Sequence, residues 1–282
     1  MSASVLAETL RPCTDAEKWG CRLAGYTGGA RPARPAAVTA GPASFGGGRR
    51  SVMVALAPGG SGEDLLALAA RLASGGIPMI TVGDPGLAAA LAGRLPVAVC
   101  GHVDAAASLP AWTRAAHMIA VGPEHMHDYG LLRAVGATPL PVVLYRGRAA
   151  TIQEWLLAAE YVLKERPGRR DVILCEGGIR TFEGYTRHTF DVGAIAALRR
   201  LSPLPVIADP GAAAGRPELV APLAHAALAA GADGVVLHAR PAEGQAPAGA
   251  PWALVPDEVA RLARELVGPG SPLAQPSRRT AG

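Results

Sequence analysis

The sequence predicts a (β/α)8 TIM barrel of the α/β class, and three observations carry that expectation. Short apolar runs recur eight times across the middle of the chain. Helix-length segments with Leu and Ala at helical spacing separate them, and polar or charged residues cluster just after the runs. Runs that are apolar throughout, rather than alternating, predict strands buried on both faces of a parallel sheet. A chain of 282 residues, half of them hydrophobic, suits one large core of this kind.

In chain order, residues 1–50 are rich in Pro, Gly, Ala and Arg without sustained periodicity. They predict an irregular N-terminal arm, with a short helix around Ala16–Leu23. The barrel is expected over 51–267. Its strands are predicted at Val52–Ala57, Pro78–Val82, Val97–Cys100, Met118–Val121, Val142–Tyr145, Val172–Cys175, Val206–Ala208 and Gly234–Leu237. Glu63–Ala73, Ile152–Leu163 and Glu218–Ala230 are the clearest helices. Residues 268–282, opening Gly-Pro-Gly-Ser-Pro, predict a flexible tail.

Composition weighs against several function classes. The net charge of +4 is mild, and no Lys/Arg stripe interleaves with aromatics, so no nucleic-acid partner is expected. No apolar run reaches about 18 residues, so no membrane partner is expected. Cys13, Cys21, Cys100 and Cys175 form no CxxC pair, and no signal peptide is visible, which suits a reduced, cytoplasmic protein. Lys18 and Lys164 lie in the arm and at a helix end, which argues against Schiff-base chemistry.

In a barrel the residues just after each strand share one mouth. Four of them, Glu124, Tyr145, Glu176 and His238, are the candidate catalytic residues. His102, Arg146, Arg180, Arg187, Asp209 and Arg240 are the candidate substrate-binding residues. Glu124 and Glu176 have the chemistry of an acid/base pair. His102, His125, His127 and His238, with either glutamate, could supply a new zinc or iron site; scattered surface histidines are the alternative, and no metal ligand is assigned. Cys100 and Cys175 read as small buried residues or as a catalytic thiol. Gly59-Gly60-Ser61-Gly62 either cradles an anion or is a turn whose Ser61 or Gly62 caps the next helix. Arg180, Glu183 and Arg187 form either an ion-pair network or part of a ligand site.

Several stretches carry a family resemblance. Val172-Ile-Leu-Cys-Glu-Gly-Gly-Ile-Arg-Thr-Phe-Glu183, Thr-Ile-Gln-Glu-Trp-Leu-Leu-Ala-Ala-Glu-Tyr-Val over 151–162, Leu-Pro-Val-Ile-Ala-Asp-Pro over 204–210 and Ala-Ala-Leu-Ala-Ala-Gly-Ala-Asp-Gly over 226–234 resemble the type I 3-deoxy-7-phosphoheptulonate (DAHP) synthases and their KDO8P synthase relatives. The likeness covers roughly 45–267 and is strongest from Thr151 onward. It implies a barrel in which a divalent metal and phosphoenolpyruvate sit at the mouth and phosphoenolpyruvate attacks the aldehyde of erythrose 4-phosphate. It also implies a homo-oligomer.

The resemblance equally implies losses. The family's metal-binding Cys, His and Glu correspond to Gly59, Ala212 and His238, and the nearest match to its Ser-Asp-Gly turn is Ala248-Gly249. Its phosphoenolpyruvate-binding Arg after strand 4 corresponds to Glu124, its Lys after strand 5 to Tyr145 and its Arg after strand 6 to Gly177; Gly83-Asp84-Pro85-Gly86 replaces a Lys-Pro-Arg-Thr-Ser loop. Each lost charge-assisted contact costs about 1.5–3 kcal/mol. The losses predict a member without the parent reaction, using its mouth for other chemistry on, or binding of, a small acidic ligand, with no assigned cofactor. One alternative is a non-catalytic partner of a true DAHP synthase or chorismate mutase. Another is an active synthase with an atypical site.

Overall fold

The computed structural model describes residues 37–241, 244 and 246–268. An antiparallel hairpin, β1 (Val38–Ala40) and β2 (Ala43–Phe45), comes first. Eight parallel strands follow: β3 (Ser51–Leu56), β4 (Met79–Val82), β5 (Ala98–Val103), β6 (Met118–Val121), β7 (Val142–Tyr145), β8 (Val172–Glu176), β9 (Val206–Ala208) and β10 (Gly234–Ala239). They close in sequence order, with β10 pairing β3 through the register His238 to Ala55. The (β/α)8 barrel expected from the apolar runs is therefore the observed fold, with each strand at its predicted place.

The helices between strands are α1 (Gly62–Ser74), α2 (Pro85–Arg94), α3 (Leu109–Ala115), α4 (Tyr129–Gly136), α5 (Ile152–Lys164), α6 (Val192–Leu201), α7 (Pro210–Ala214), α8 (Val220–Ala229) and α9 (Pro256–Val267). Their starts are chemically specified. Ser61 caps α1 and exchanges hydrogen bonds with Asp64, which favours the capping reading of that glycine-containing turn. Thr151 and Glu154 form the same box at α5. Leu68, Leu72, Trp155, Val162 and Leu198 face the strands and are buried, each contributing about 1.5–3 kcal/mol by leaving water. No helix among the described residues is long and apolar enough to cross a membrane.

One expectation is corrected. The arm expected to be mostly irregular over 1–50 holds, in its described part, the β1–β2 hairpin, which closes the N-terminal end of the barrel. Val38, Ala43 and Phe45 join Met53, Met79, Ala98 and Met118 in one buried cluster inside the strands. Two three-residue strands are too short to leave a readable alternation, so composition alone read as disorder. The expected helix at Ala16–Leu23, Cys13, Cys21, Lys18 and the tail beyond Gly268 lie outside the described residues.

Candidate active site

At the C-terminal ends of the strands, four of the anticipated residues converge. Asp209 follows β9 and starts α7, where its Oδ1 accepts from the Ala212 amide at 3.0 Å. His238 near the end of β10 places Nε2 at 3.0 Å from both Asp209 carboxylate oxygens. The Tyr145 hydroxyl, at the end of β7, donates to Asp209 Oδ2 at 3.3 Å. His102 on β5 lies with its ring centroid 5.9 Å from that of Tyr145. Burial raises the Asp209 carboxyl, but the charge and hydrogen bond of His238, with the Ala212 amide, outweigh it and hold Asp209 below the ordinary carboxylate range. Burial, reinforced by the His238 charge, pushes His102 down and keeps it neutral near pH 7. The Tyr145 hydroxyl is pushed well up, mainly by burial, and stays protonated.

His102 and His238 border a cavity of about 390 Å³, lined also by Thr81, Val82, Leu87 and Trp252. Trp252 was not anticipated. Its ring stands edge-on to His238 at 5.5 Å and lies under the Arg187 guanidinium at 4.9 Å. It packs so closely on Gly211 that a Cβ there would sit 2.5 Å from the indole Cδ1, so the position admits only glycine without a shift. A large aromatic amid Ala, Gly and Pro over 246–253 was the available signal.

The second group is cationic. Arg148, in the β7–α5 loop, donates from Nη1 to the carbonyls of Gly177 and Gly178. A Cβ on Gly177 would lie 3.5 Å from that Nη1. Arg148 thus brings a guanidinium to the position where the resemblance implied that a cation had been lost. Gly178 has φ +94°, and a Cβ there would meet His188 and Ala213 within 2.9 Å, so the loop crosses here only as glycine. His188 sits among Arg148, Arg187 and Arg180. Burial and then those three charges, against the opposing charge of Glu124, push its pKa down to about 4. None of the three arginines has a carboxylate partner among the described residues. Glu183 accepts instead from the Gly184 and Tyr185 amides, so the anticipated Arg180–Glu183–Arg187 ion-pair network is not formed. Arg148 follows the fifth barrel strand and so was expected at the mouth without a role, and His188 was not anticipated, because the importance of each lies in what faces it across loops.

Other candidates are placed differently. Glu176 is fully buried and spends one carboxylate oxygen on Arg146 at 3.1 Å and the other on the Gly178 amide at 2.7 Å. Arg146 is held by Glu176, Asp191 and the Ala150 carbonyl. Both brace the start of the β8–α6 loop, Glu176 through both carboxylate oxygens and Arg146 through Nε and Nη1. Glu124 is exposed on a short turn after β6, so it makes no acid/base pair with the sealed Glu176. Arg240 donates to the carbonyls of Pro241 and Gly244 and fastens its own loop. The Cys100 thiol is pushed up to about 12 and that of Cys175 well up, both mainly by burial, so neither supplies a thiolate.

A divalent metal does not fit this mouth. Three of the four positions that the resemblance assigns to ligands carry no donor side chain (Gly59, Ala212 and the Ala248-Gly249 pair), which leaves the single imidazole of His238, too few donors for a divalent ion. Trp252 fills the space over Gly211 beside Ala212. The anticipated four-histidine site does not assemble either. His127 is exposed and edge-on to Tyr129, and among the described residues no three His, Cys, Asp or Glu side chains are arranged to hold a metal ion.

Fold and site together define a TIM barrel whose C-terminal mouth holds the hydrogen-bonded group of Tyr145, Asp209 and His238 beside Arg148 and Arg187. The DAHP synthetase I family matches residues 62–270, and the chain belongs to it. A phospho-2-dehydro-3-deoxyheptonate aldolase of Thermotoga maritima is 42% identical over 133 residues, 47% of this chain and 39% of that protein. The matched stretch thus spans well under half of that relative. A truncated 3-deoxy-D-arabino-heptulosonate 7-phosphate synthase from T. maritima superposes with TM-score 0.79 at 29% identity, covering 86% of this chain and 94% of that one. A crystal structure of DAHP synthase from the same organism superposes with TM-score 0.80 at 28% identity, over 86% and 75%.

Proposed function

We propose that the chain is an enzyme of the DAHP synthase class with an atypical mouth, acting on a small anionic substrate. The observation that carries this reading is that Arg148, beside Gly177 and Gly178, and Arg187, over Trp252, bring guanidinium groups to the mouth with no carboxylate partner among the described residues. A phosphate or carboxylate seated there gains charge-assisted bonds of about 1.5–3 kcal/mol each. The body of the substrate occupies the neighbouring cavity. With Nε2 held by Asp209, His238 has Nδ1 as its free nitrogen, able to take a proton from the substrate or return one. Asp209 orients the ring through Nε2, and Tyr145 donates a hydrogen bond to Asp209. No step is assigned to a bound metal.

The family match and the similarity to named synthases support this reading over the loss of the parent reaction that the missing ligands first suggested. The test is an assay of the full chain with phosphoenolpyruvate and erythrose 4-phosphate, with EDTA or with Mn²⁺. Turnover that persists in EDTA and falls at least about tenfold in Arg148→Gln and His238→Gln is expected, each being one charge-assisted contact or proton-transfer group. Turnover strictly dependent on Mn²⁺ would overturn the metal-free site.

A second reading is favoured by the donor-free positions Gly59, Ala212 and Gly249. In it the mouth binds an acidic ligand, or the barrel tunes a partner enzyme of the same pathway, without running the family's condensation. It predicts no turnover, together with thermal stabilisation by shikimate-pathway acids or recovery of a synthase or chorismate mutase in a pull-down. Either reading is compatible with a cytoplasmic homo-oligomer.

A further inference from the structure

The opposite end of the barrel holds a second polar cavity, far from the chemistry of the mouth. It measures about 320 Å³ and is lined by Ser44, Gly48, Arg49, Arg50, Ser51 and Val267, with Pro42 at its edge. Ser44 lies on the β2 strand of the hairpin that closes the barrel, and Ser51 begins β3. Between them, Gly46, Gly47 and Gly48 all have positive φ, and Gly46 and Arg49 exchange backbone hydrogen bonds across this tight turn. The turn brings the side chains of Arg49 and Arg50 to one opening.

Two polar atoms of the lining residues have no hydrogen-bond partner among the described residues, although both are sealed from bulk water: Ser44 Oγ and Arg50 Nη1. Arg50 has only a long contact from Nη2 to the Leu228 carbonyl at 3.4 Å. Burial lowers its pKa, Arg199 adds to that, and Asp233 opposes it. Asp233 is itself committed to Arg199 and to the Val206 amide, so it does not neutralise Arg50 alone. Buried polar groups are normally satisfied, so the Arg50 guanidinium keeps an uncommitted positive charge next to the cavity that its residue lines. The carbonyl end of α9 at Val267 opposes an anion, but it is a fractional charge against two whole ones.

We propose that this cavity binds a phosphate group, either as the free ion or as a small phosphomonoester. The charges of Arg49 and Arg50 select a dianion, and Ser44 and Ser51 supply hydroxyl donors. The volume lies at the lower end of the range for small-molecule sites. Because the cavity joins the hairpin to β3 and α9, an occupant also fastens the plug of the barrel. The site is independent of the reading of the mouth.

The test titrates the full chain with inorganic phosphate and with glycerol 3-phosphate by calorimetry. Arg148→Gln/Arg187→Gln weakens the mouth cluster as a competing site, leaving only Arg180 of its three arginines. The expected result is saturable binding that survives that double substitution and falls at least about tenfold in Arg50→Gln and in Arg49→Glu. Arg50 is half-buried, so Arg49→Glu, an exposed change that leaves the melting temperature unaltered, decides the matter if Arg50→Gln disturbs the fold. Equal affinities would assign the site to the free ion, and tighter binding of glycerol 3-phosphate would assign it to a monoester. No binding to the intact chain, or binding lost in the mouth variant and kept in Arg49→Glu, overturns the proposal.

Discussion

At the scale of single residues, His188 is the most sensitive reporter of the mouth. Its pKa is held at about 4, first by burial and then by Arg148, Arg187 and Arg180. Its folded pKa is depressed, so between the ordinary histidine value near 6.5 and about 4 the unfolded chain takes up a proton that the folded chain refuses. The His188 contribution to stability therefore declines as pH falls through that window and is constant below it. Side-chain NMR titration should place the His188 midpoint near 4, and Arg148→Gln or a bound phosphate should raise it. A midpoint near 6.5 in the free protein would mean that the three guanidinium groups do not converge. Asp209 behaves in the opposite sense. Its lowered pKa stabilises the fold above the ordinary carboxylate range, and that stability is lost as pH falls through the lowered value. Asp209→Asn leaves Tyr145, His238 and Ala212 without their carboxylate, and should cost about 1–3 kcal/mol by urea denaturation.

At the scale of elements, the hairpin is the part of the fold that its sequence least advertises. Phe45 is fully buried inside the barrel, among methionines from three different strands. Cutting it to alanine opens a cavity at the closed end, and substitutions of this kind cost about 3–5 kcal/mol. The measurement is the urea midpoint of Phe45→Ala beside its affinity for a mouth ligand. A large stability loss with unchanged affinity is expected, because the plug and the mouth are at opposite ends of the strands. A loss below about 1 kcal/mol would show that the hairpin is not seated between the strand starts. The β8–α6 loop makes the complementary point. Arg146 and Glu176 looked like ligand groups from their position after strands, yet they are consumed in bracing that loop. Position on an element predicts which end of the barrel a side chain occupies, and only packing decides whether it is free.

At the scale of the molecule, the barrel was legible because eight apolar runs and their helices repeat one pattern, and such a pattern closes economically in only one way. The site was legible in part. His102, Tyr145, Asp209 and His238 were each visible at a strand end, but their convergence on Asp209 depends on inter-strand register. Arg148 beside Gly177, and Trp252 over Gly211, are long-range substitutions of one group for another, and no local pattern reports them. That distinction bears on the metal. Counting lost ligands along the chain is an argument about positions, whereas the packing of Trp252 over Gly211 is an argument about space. If a metal were resident at about 100 times its dissociation constant, it would add about 2.7 kcal/mol of stability. For a chain of this length each kcal/mol moves the melting temperature by roughly 2–4 °C, so stripping the metal would lower it by roughly 5–10 °C. The geometry predicts instead that EDTA, Mn²⁺ and Zn²⁺ each shift the melting temperature by less than about 1 °C, within the scatter expected without a site. A fall of several degrees in EDTA, restored by adding either ion, would return the metal to the mouth and require Trp252 to move aside.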